Sequence, residues 1–401
     1  MTYDVTAVRA HFPALEEGAA HFDGPGGSQT PRAVGEAVSR TLLSAIANRG
    51  TITPAERRAE QIVHDCRAAL GDLLRTDPQG IVFGRSMSAL TYDVARAMAK
   101  TWQPGDEIVV TRLDHDANIR PWVQAAAGAG ALVRWADFDP TTGELVPDDI
   151  ATHLCDRTRV VAVTAAGNLI GTRPDIPAIA RLVHDRTSAL VYVDGVHETA
   201  HESVDVPASG ADFWACSPYK FLGPHCGVVA AAPHRWEELH PDKLLPSSDA
   251  IPERFELGTL PYELMAGTTA AVDFLASLSP AAAGSRRDRL VAAMASIRAH
   301  EEALRRRLEV TLRDLPGVRV YSNARSRTPT LLFTVEGWDS QDLRVALAER
   351  NINAPASNFY ALECSRHLGL GDAGGVRVGL APYTNDDDVD RLLAALGELL
   401  L

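Results

Sequence analysis

The chain has 401 residues, of which 46% are apolar and 23% are charged, and its formal net charge at pH 7 is -13. A chain of this length favours two domains over one small core, and the negative charge argues against nucleic acid and anionic membranes as partners. We find no run of about 18 apolar residues that would predict a membrane span, and no signal-peptide pattern at the amino end.

The cysteines favour reduced thiols. Their number, five, is odd, and no two of them have the Cys-x-x-Cys spacing of a zinc or redox site. We therefore expect no disulfide framework, no metal ion and a cytoplasmic location. The residues are Cys66, Cys155, Cys216, Cys226 and Cys364.

The first part of the chain predicts an arm, a turn and a helix. Residues 1–15 are expected to form an arm that packs near the C-terminal domain. Residues 22–31 contain three glycines and two prolines, which predicts a tight backbone turn. The pattern over 54–75 predicts an amphipathic helix, with Ile62, Cys66, Ala69 and Leu73 on its apolar face.

A short strand at 81–83 leads into a helix that runs to about residue 100. Ser86, Met87 and Ser88 stand at the start of that helix. Free N–H groups and the helix dipole converge at such a start and favour a bound anion. Ordinary helix capping by Ser86 or Ser88 is the other interpretation.

Strand and helix patterns then alternate up to about residue 231. This alternation predicts an α/β fold with a largely parallel sheet covered on both faces. Ligands of such sheets lie beyond the carboxyl ends of the strands, where His115, Asn168 and Asp194 fall. The predicted strands are 107–111, 131–135, 158–164, 189–194, 212–216 and 227–231.

The pattern changes after about residue 265. A long helix at 285–313 is followed by short strands and two more helices, which predicts a smaller α+β domain. We therefore divide the chain into a large domain, 16–265, and a C-terminal domain, 266–401. The further elements predicted there are strands at 318–321, 329–335 and 375–380 and helices at 339–350 and 386–400.

Lys220 is the first candidate for chemistry. It follows the apolar run 213–216 and sits in a turn between Pro218 and Gly223. A lysine that leaves water loses its proton more readily, as a Schiff-base lysine must. A solvated surface lysine is the alternative interpretation.

A second feature, upstream of Lys220, favours the chemical role. The apolar run 189–193 ends in Asp194, which is followed by Gly195. A carboxylate at the end of a strand can hold a proton on a pyridine nitrogen, which makes the ring an electron sink. The two features together indicate a pyridine cofactor bound by a lysine.

The stretch Asp194-Gly195 followed by Ser217-Pro-Tyr-Lys220-Phe-Leu-Gly-Pro resembles the class V aminotransferase and cysteine desulfurase family. That family reads roughly Val-Asp-Gly-Ala-Gln and then Ser-x-His-Lys-x-x-Gly-Pro. The resemblance implies an aspartate-aminotransferase-like fold of type I, with a mostly parallel seven-stranded sheet in the large domain and a smaller C-terminal α+β domain. It also implies that Lys220 binds pyridoxal 5'-phosphate (PLP) and that Asp194 holds the ring proton.

Further cofactor contacts follow from the same resemblance. His115 would stack on the ring and move protons, and we expect its neighbours Asp114 and Asp116 to favour its charged form. Taken alone, a loop histidine or a turn asparagine has ordinary structural roles. The implied cofactor-binding residues are Ser86, Met87, Ser88, His115, Asn168, Asp194, His197, Ser217, Tyr219 and Lys220, with Thr259 reaching the phosphate in the other subunit of a homodimer.

On the substrate side, the resemblance implies that Arg377 clamps a carboxylate with its planar fork, next to Asn358. A strand arginine held in a salt bridge is the alternative. Tyr360 stands where cysteine desulfurases carry a mobile cysteine, and Tyr360 or His115 is the candidate second acid. Cys364, four residues on, is either a displaced nucleophile or a buried cysteine.

We therefore predict a PLP-dependent enzyme that acts on a small amino acid through an external aldimine and a quinonoid, with the turn at 22–31 lining the substrate cavity as in the family. The leading hypothesis is a cysteine desulfurase-like enzyme, either a C–S lyase that works by β-elimination or a desulfurase. An aminotransferase or an epimerase of the same family is the alternative. A PLP-binding sensor or scaffold without catalysis is the alternative of another class.

Overall fold

A computed structural model describes residues 3–278 and 283–400 of the chain. The strands are β1 (Ala20–His21), β2 (Ile81–Gly84), β3 (Glu107–Thr111), β4 (Leu132–Ala136), β5 (Thr158–Thr164), β6 (Leu190–Asp194), β7 (Phe213–Cys216), β8 (Gly227–Ala231), β9 (Val318–Val320), β10 (Thr330–Val335), β11 (Ile352–Asn353), β12 (Ala356–Ser357) and β13 (Gly375–Gly379). The helices are α1 (Val5–Arg9), α2 (Arg32–Leu42), α3 (Pro54–Leu74), α4 (Met87–Ala99), α5 (Arg120–Ala129), α6 (Pro147–Ala151), α7 (Ile176–Arg186), α8 (Val206–Ser209), α9 (Pro233–Glu237), α10 (Tyr262–Ser277), α11 (Arg286–Asp314), α12 (Ser340–Ala348), α13 (Leu362–His367) and α14 (Asp386–Leu400).

The largest sheet has seven strands in the order β2-β8-β7-β6-β5-β3-β4. Strand β8 runs antiparallel to both of its neighbours, and the other neighbours pair in parallel. Strands β3, β7 and β8 are buried along their whole length, which is typical of a sheet that helices cover on both faces. The predicted fold class, a mostly parallel seven-stranded sheet, is confirmed.

Strand β5 shows how the sheet separates two cores. Side chains alternate between the faces of a strand, so Val161 and Val163 lie in the core that α3, α7 and α10 complete. Val160 and Ala162 lie in the core on the other face, under α4 and α5. Both helix layers are therefore needed to keep the strands out of water.

The C-terminal part forms an antiparallel sheet in the order β12-β13-β10-β9. Its apolar core includes side chains of α11, α12 and α14. The amino-terminal arm contacts this region, since the Arg9 guanidinium lies 2.6 Å from the Asp388 carboxylate and the Tyr3 hydroxyl donates to the Pro382 carbonyl at 2.7 Å. Strand β1 pairs in parallel with β11.

Helix α10 runs across residue 265, which is the predicted limit of the large domain. It packs against α2 and α3, and its Met265 and Val272 side chains lie in the core of the large sheet. The large sheet and its cover therefore extend to the end of α10. Among the described residues, no helix combines the length and the low polarity that a bilayer crossing requires.

Candidate active site

A cavity of about 550 Å³ lies beyond the carboxyl ends of β5, β6 and β7, between the large sheet and strand β13. Its size suits a cofactor together with a small ligand. Two predicted site residues, Thr259 and Asn358, do not line it. The predicted residues that do are Ser86, Met87, Ser88, His115, Asn168, Asp194, His197, Ser217, Tyr219, Lys220, Tyr360 and Arg377.

Lys220 ends the short 3-10 turn that follows β7. Its ammonium donates to the Pro25 carbonyl and lies 4.8 Å from the centre of the Tyr219 ring. Burial, and then the positive charge of Arg377, lower the pKa of Lys220 to about 7. A large fraction of Lys220 is therefore a neutral nucleophile near neutral pH.

Asp194 ends strand β6 and is buried. One carboxylate oxygen accepts a hydrogen bond from the Val196 amide at 3.0 Å, and burial raises the pKa of Asp194 to about 6. The next residue must be Gly195, because a Cβ there would lie 2.1 Å from the Trp214 ring. A buried carboxylate in this position favours a cationic partner, as a protonated pyridine nitrogen would be.

His115 is neutral in this site, although the charge of Asp116 raises its pKa and so favours the charged form, as expected. Burial, and then the charge of Lys220, lower the pKa of His115 to about 4. The neighbouring carboxylates bond to other groups, since Asp114 accepts from the Asn118 side-chain amide at 2.6 Å and Asp116 pairs with Arg120 at 2.7 Å. The Nδ1 atom of His115 lies 3.0 Å from the Ala117 amide, which donates to it, so Nε2 carries the hydrogen.

The start of helix α4 lies at one end of the cavity. The Ser86 hydroxyl accepts from the Ala89 amide at 3.1 Å and caps the helix, whereas the amides of Met87 and Ser88 have no intrahelical carbonyl to bond. Strand β8 passes so close to this turn that a Cβ on Gly227 would lie 2.2 Å from the Met87 nitrogen. The turn thus combines the two functions that the sequence left open, a cap at Ser86 and free donors for an anion.

His197 and Asn168 both line the cavity, and each has a buried polar atom without a partner among the described residues. The Nε2 atom of His197 lies 2.9 Å from the hydroxyl oxygens of both Thr328 and Thr330, and its Nδ1 atom is unpaired among the described residues. Burial lowers the pKa of His197 well below its usual range, so the ring is neutral. The Asn168 amide donates to the Phe359 carbonyl at 3.0 Å, and its Oδ1 atom is likewise unpaired within the described residues.

Arg377 projects from strand β13 and is buried. Its Nη2 atom donates to the Asp23 carboxylate at 2.7 Å, and its Nη1 atom donates to the Asn168 carbonyl at 3.1 Å. The guanidinium also lies 3.6 Å from the centre of the Phe359 ring. The glycine-rich turn reaches the same place, because Asp23, Pro25 and Gly26 line the cavity.

The segment around Tyr360, where the resemblance implies a tyrosine in place of a cysteine, is tied down on several sides. Phe359 and Tyr360 both have left-handed backbones, with φ of 51° and 61°. The Tyr360 carbonyl accepts from the Asp116 amide at 2.7 Å, and the Tyr360 ring lies 5.6 Å from the His115 ring. Asn358 does not reach the cavity, because its side chain donates to the Asp372 carbonyl at 2.8 Å and accepts from the Tyr360 amide at 2.9 Å.

Cys364 lies in helix α13, and its side chain is part of the large apolar core. Burial raises the pKa of its thiol far above the usual range, so the thiolate that a nucleophile needs is not formed. Of the two interpretations left open above, the structure favours the buried cysteine. The other four cysteines are also free thiols.

The donors around the cavity fit the cofactor that the motifs imply. A half-buried lysine with a pKa of about 7 lies with a buried carboxylate at one cavity, and free amides of a helix start face the same space for a phosphate. The unpaired Nδ1 of His197 can donate to an anionic ring oxygen. Within residues 3–278 and 283–400, no group of three or more His, Cys, Asp or Glu side chains is placed to bind a metal ion.

Several cavity residues were not singled out from the sequence. They include Tyr92, Arg120, Ser357 and Phe359. For Arg120 the available signal was its spacing of four residues from Asp116 on one helical turn. Asp23 was predicted only as part of the cavity-lining turn at 22–31, and Phe359 carried no signal, because long-range packing brings both of them to Arg377.

Comparison with known proteins agrees with this geometry. The family model described as aminotransferase class V matches residues 20–392. The chain is 34% identical to an uncharacterised protein of Mycobacterium tuberculosis, with all of both chains covered. It is 30% identical to a probable cysteine desulfurase of Pseudomonas aeruginosa, with 98% of this chain and 97% of the relative covered.

A fungal relative and two solved structures extend the comparison. An aminotransferase-like protein of Gibberella zeae is 31% identical over 100% of this chain and 99% of its own. The cysteine desulfurase CsdA of Escherichia coli superposes with a TM-score of 0.87 at 26% identity, with all of both chains covered. A cysteine desulfurase of Thermococcus onnurineus has a TM-score of 0.89 at 24% identity over 98% of both chains, a likeness that concerns the fold alone.

Proposed function

The chain belongs to the class V aminotransferase family of PLP-dependent enzymes, and on that premise we propose that it catalyses β-elimination from a small amino acid without a cysteine nucleophile. The proposal places it with cysteine desulfurases and C–S lyases in the bond that breaks. It departs from the desulfurases in the fate of the leaving group. The β-substituent of the amino acid would be released into solvent and would not be transferred to a protein thiol.

Three side chains support the first part of the proposal, which is that an amino acid binds here and loses its α-proton. When bound, PLP supplies an electron sink that lets the α-proton of an amino acid leave. Lys220 would hold the cofactor and then take the α-proton on Nζ, since its pKa of about 7 matches that of a base at neutral pH. Asp194 would keep the ring nitrogen protonated, and Arg377 would fix the substrate carboxylate.

Contacts at the edges of the cavity would orient the cofactor. The amides of Met87 and Ser88 and the buried hydroxyl of Ser217 would bind its phosphate. The Nδ1 atom of His197 and the side chain of Asn168 would face its phenolic oxygen. These residues would exclude water from the ring and fix its position relative to Lys220.

The second part of the proposal is that no cysteine nucleophile takes part. The observation that carries it is the tethered segment with Tyr360 in place of a cysteine. Its carbonyls at Phe359 and Tyr360 are bonded to Asn168 and Asp116, and Cys364 is enclosed in the core. A sulfur acceptor that swings into the cavity is therefore lacking on this segment. The Tyr360 hydroxyl would instead donate the proton that the departing group needs, whereas the neutral His115 ring would contribute a hydrogen bond from its Nε2–H and not a proton.

The test is a panel of amino acids incubated with the purified protein and its cofactor. We expect β-substituted amino acids to give pyruvate, ammonia and the free leaving group in equal amounts, with no persulfide on the protein. A keto acid formed only with an amino acceptor would indicate an aminotransferase, and loss of optical activity alone would indicate an epimerase. A spectral change without turnover would indicate a PLP-binding sensor or scaffold without catalysis.

We also propose a homodimer in which Thr259 serves the partner's site. Thr259 is exposed and lies outside the cavity of its own chain, as a residue that reaches a second subunit would. A cytoplasmic location is proposed as well, in keeping with the free thiols. We propose no nucleic acid or membrane partner, in keeping with the net charge of -13.

A further inference from the structure

The carboxylate site on Arg377 already contains a carboxylate of the protein itself. Asp23 accepts from Nη2 at 2.7 Å, while the Nε atom has no partner among the described residues. Nε and Nη2 together form the edge of a guanidinium that grips a carboxylate with two parallel hydrogen bonds. Asp23 therefore occupies one of the two donors on this edge, whereas a substrate carboxylate would accept from both.

The two partners differ in their freedom to move. The Arg377 side chain is 2% exposed, whereas the Asp23 side chain is 34% exposed and borders the cavity. Arg377 is also held by the Asn168 carbonyl and by the Phe359 ring. If the pair separates, Asp23 is the partner that moves.

Glycine makes the position of Asp23 possible. A Cβ on Gly26 would lie 2.3 Å from both oxygens of the Asp23 carboxylate, and a Cβ on Gly379 would lie 2.1 Å from the Pro25 ring. The turn also supplies the Pro25 carbonyl that accepts from Lys220. One short turn thus contacts both cations that the proposed chemistry uses.

We propose that Asp23 is a specificity-determining residue that competes with the substrate for Arg377. The inference rests on the proposed function in that Arg377 is the carboxylate site. A buried guanidinium without a counter-ion is strongly unfavourable, so Asp23 keeps Arg377 paired when the site is empty. A plain carboxylate that displaces Asp23 only exchanges one ion pair for another, whereas an amino acid gains further bonds from its amino group and side chain.

The experiment uses the cofactor-free protein and acetate, with the unfolding temperature as the readout. We expect the wild type to respond weakly to acetate compared with chloride at equal ionic strength. Asp23→Asn should unfold at a lower temperature without acetate, and its half-maximal acetate concentration should be lower by at least about tenfold. Asp372→Asn, which removes a carboxylate 2.7 Å from the Arg366 guanidinium outside the cavity, is the matched control and should respond to acetate as the wild type does.

A second variant guards against a folding defect in Asp23→Asn. Gly26→Ala leaves the aspartate in place but pushes its carboxylate away from Arg377, so it should produce the same acetate response. An unchanged acetate response in both variants would overturn the proposal, as would a response that persists when Arg377→Gln is added to Asp23→Asn. A failure of the β-elimination proposal would appear in the amino-acid panel and leave the acetate result intact.

Discussion

Two cations, Lys220 and Arg377, share one cavity, and the charge of Arg377 changes the protonation of Lys220. The charge of Arg377 lowers the pKa of Lys220, and the charge of Asp23 raises it. Only the neutral amine attacks an aldehyde. The rate at which the cofactor-free protein takes up PLP should therefore rise with pH through about 7 and then level off.

Substitutions of the two neighbours test the sign of this effect. Arg377→Met removes a positive charge, so the midpoint of the uptake rate should move to higher pH. Asp23→Asn removes a negative charge, and the midpoint should move to lower pH. The measurement is the rate constant of cofactor uptake from about pH 6 to about pH 9, and equal midpoints in all three proteins would contradict the assignment of Lys220.

Substitutions of Tyr360 and Cys364 distinguish release of the leaving group into solvent from its transfer to a cysteine. We expect Cys364→Ser to keep most of the elimination activity, because its thiol is buried and away from the cavity. Tyr360→Phe should lose more, by about tenfold or more, if its hydroxyl donates the proton. The comparison is made on kcat with the best substrate of the panel, and loss in Cys364→Ser with Tyr360→Phe unaffected would return the protein to the desulfurases.

At the scale of residues, the sequence predicts which residues lie at the site better than it predicts their protonation or the direction of their side chains. Lys220 and Asp194 were predicted because each follows an apolar strand, and strand ends converge at one edge of a parallel sheet. The neutral state of His115 was not predicted, because the sequence gives its charged neighbour Asp116 but not the burial that outweighs it. Asn358 shows the same limit, since its amide turns back to the Asp372 carbonyl.

Among the elements, the approach of β8 to the start of α4 controls the phosphate end of the cavity. Gly227→Ala would place a methyl group 2.1 Å from the Ser86 carbonyl carbon, so the first turn of α4 must move. We expect the affinity for PLP to fall by at least about tenfold, because the free amides there would no longer point at the phosphate. The measurement is cofactor binding by absorbance or fluorescence.

Gly128→Ala is the matched control for that substitution. Gly128 lies in helix α5, and a Cβ there meets no atom within 4 Å. This variant should bind PLP like the wild type and should be slightly more stable, because alanine favours a helix interior over glycine. Equal affinities in the two variants would show that the turn does not bind the phosphate.

The elements themselves were predicted where local pattern dominates. Strands β3, β5 and β8 have the predicted bounds because long apolar runs fix them. Strands β1 and β11 were not predicted, since each has two residues and exists only by pairing with the other. Helix α10 crosses the predicted domain limit because it packs on helices more than 180 residues away in the chain.

At the scale of the whole molecule, two segments that are joined by an ion pair expose apolar side chains. Leu244, Leu245 and Leu257 are exposed, Leu245 to 97%, on the segment that also carries Thr259. Leu42, Leu43 and Ile52 are exposed on a neighbouring segment, which the Arg49–Glu253 ion pair of 2.9 Å ties to the first. Grouped apolar side chains on a surface favour contact with another protein.

Hybrid dimers test whether that partner is a second copy. Lys220→Ala inactivates its own site but still offers Thr259 to the partner, whereas Thr259→Ala keeps Lys220 but weakens the site opposite. In a hybrid dimer, the site with Lys220 is completed by the intact Thr259 of the other chain. After unfolding and refolding an equal mixture, half of the dimers are hybrids with one good site of two, so activity should recover to about one quarter of the wild type.

The control replaces the Lys220→Ala chain with one that carries both substitutions. That chain cannot supply Thr259, so its mixture with Thr259→Ala should show no gain over Thr259→Ala alone at the same dilution. Because both mixtures contain the same number of intact Lys220 side chains, any difference between them measures Thr259 acting across the interface. Equal activities, or a monomeric mass for the PLP-bound protein by light scattering, would contradict the shared site and leave the apolar surface to a different partner.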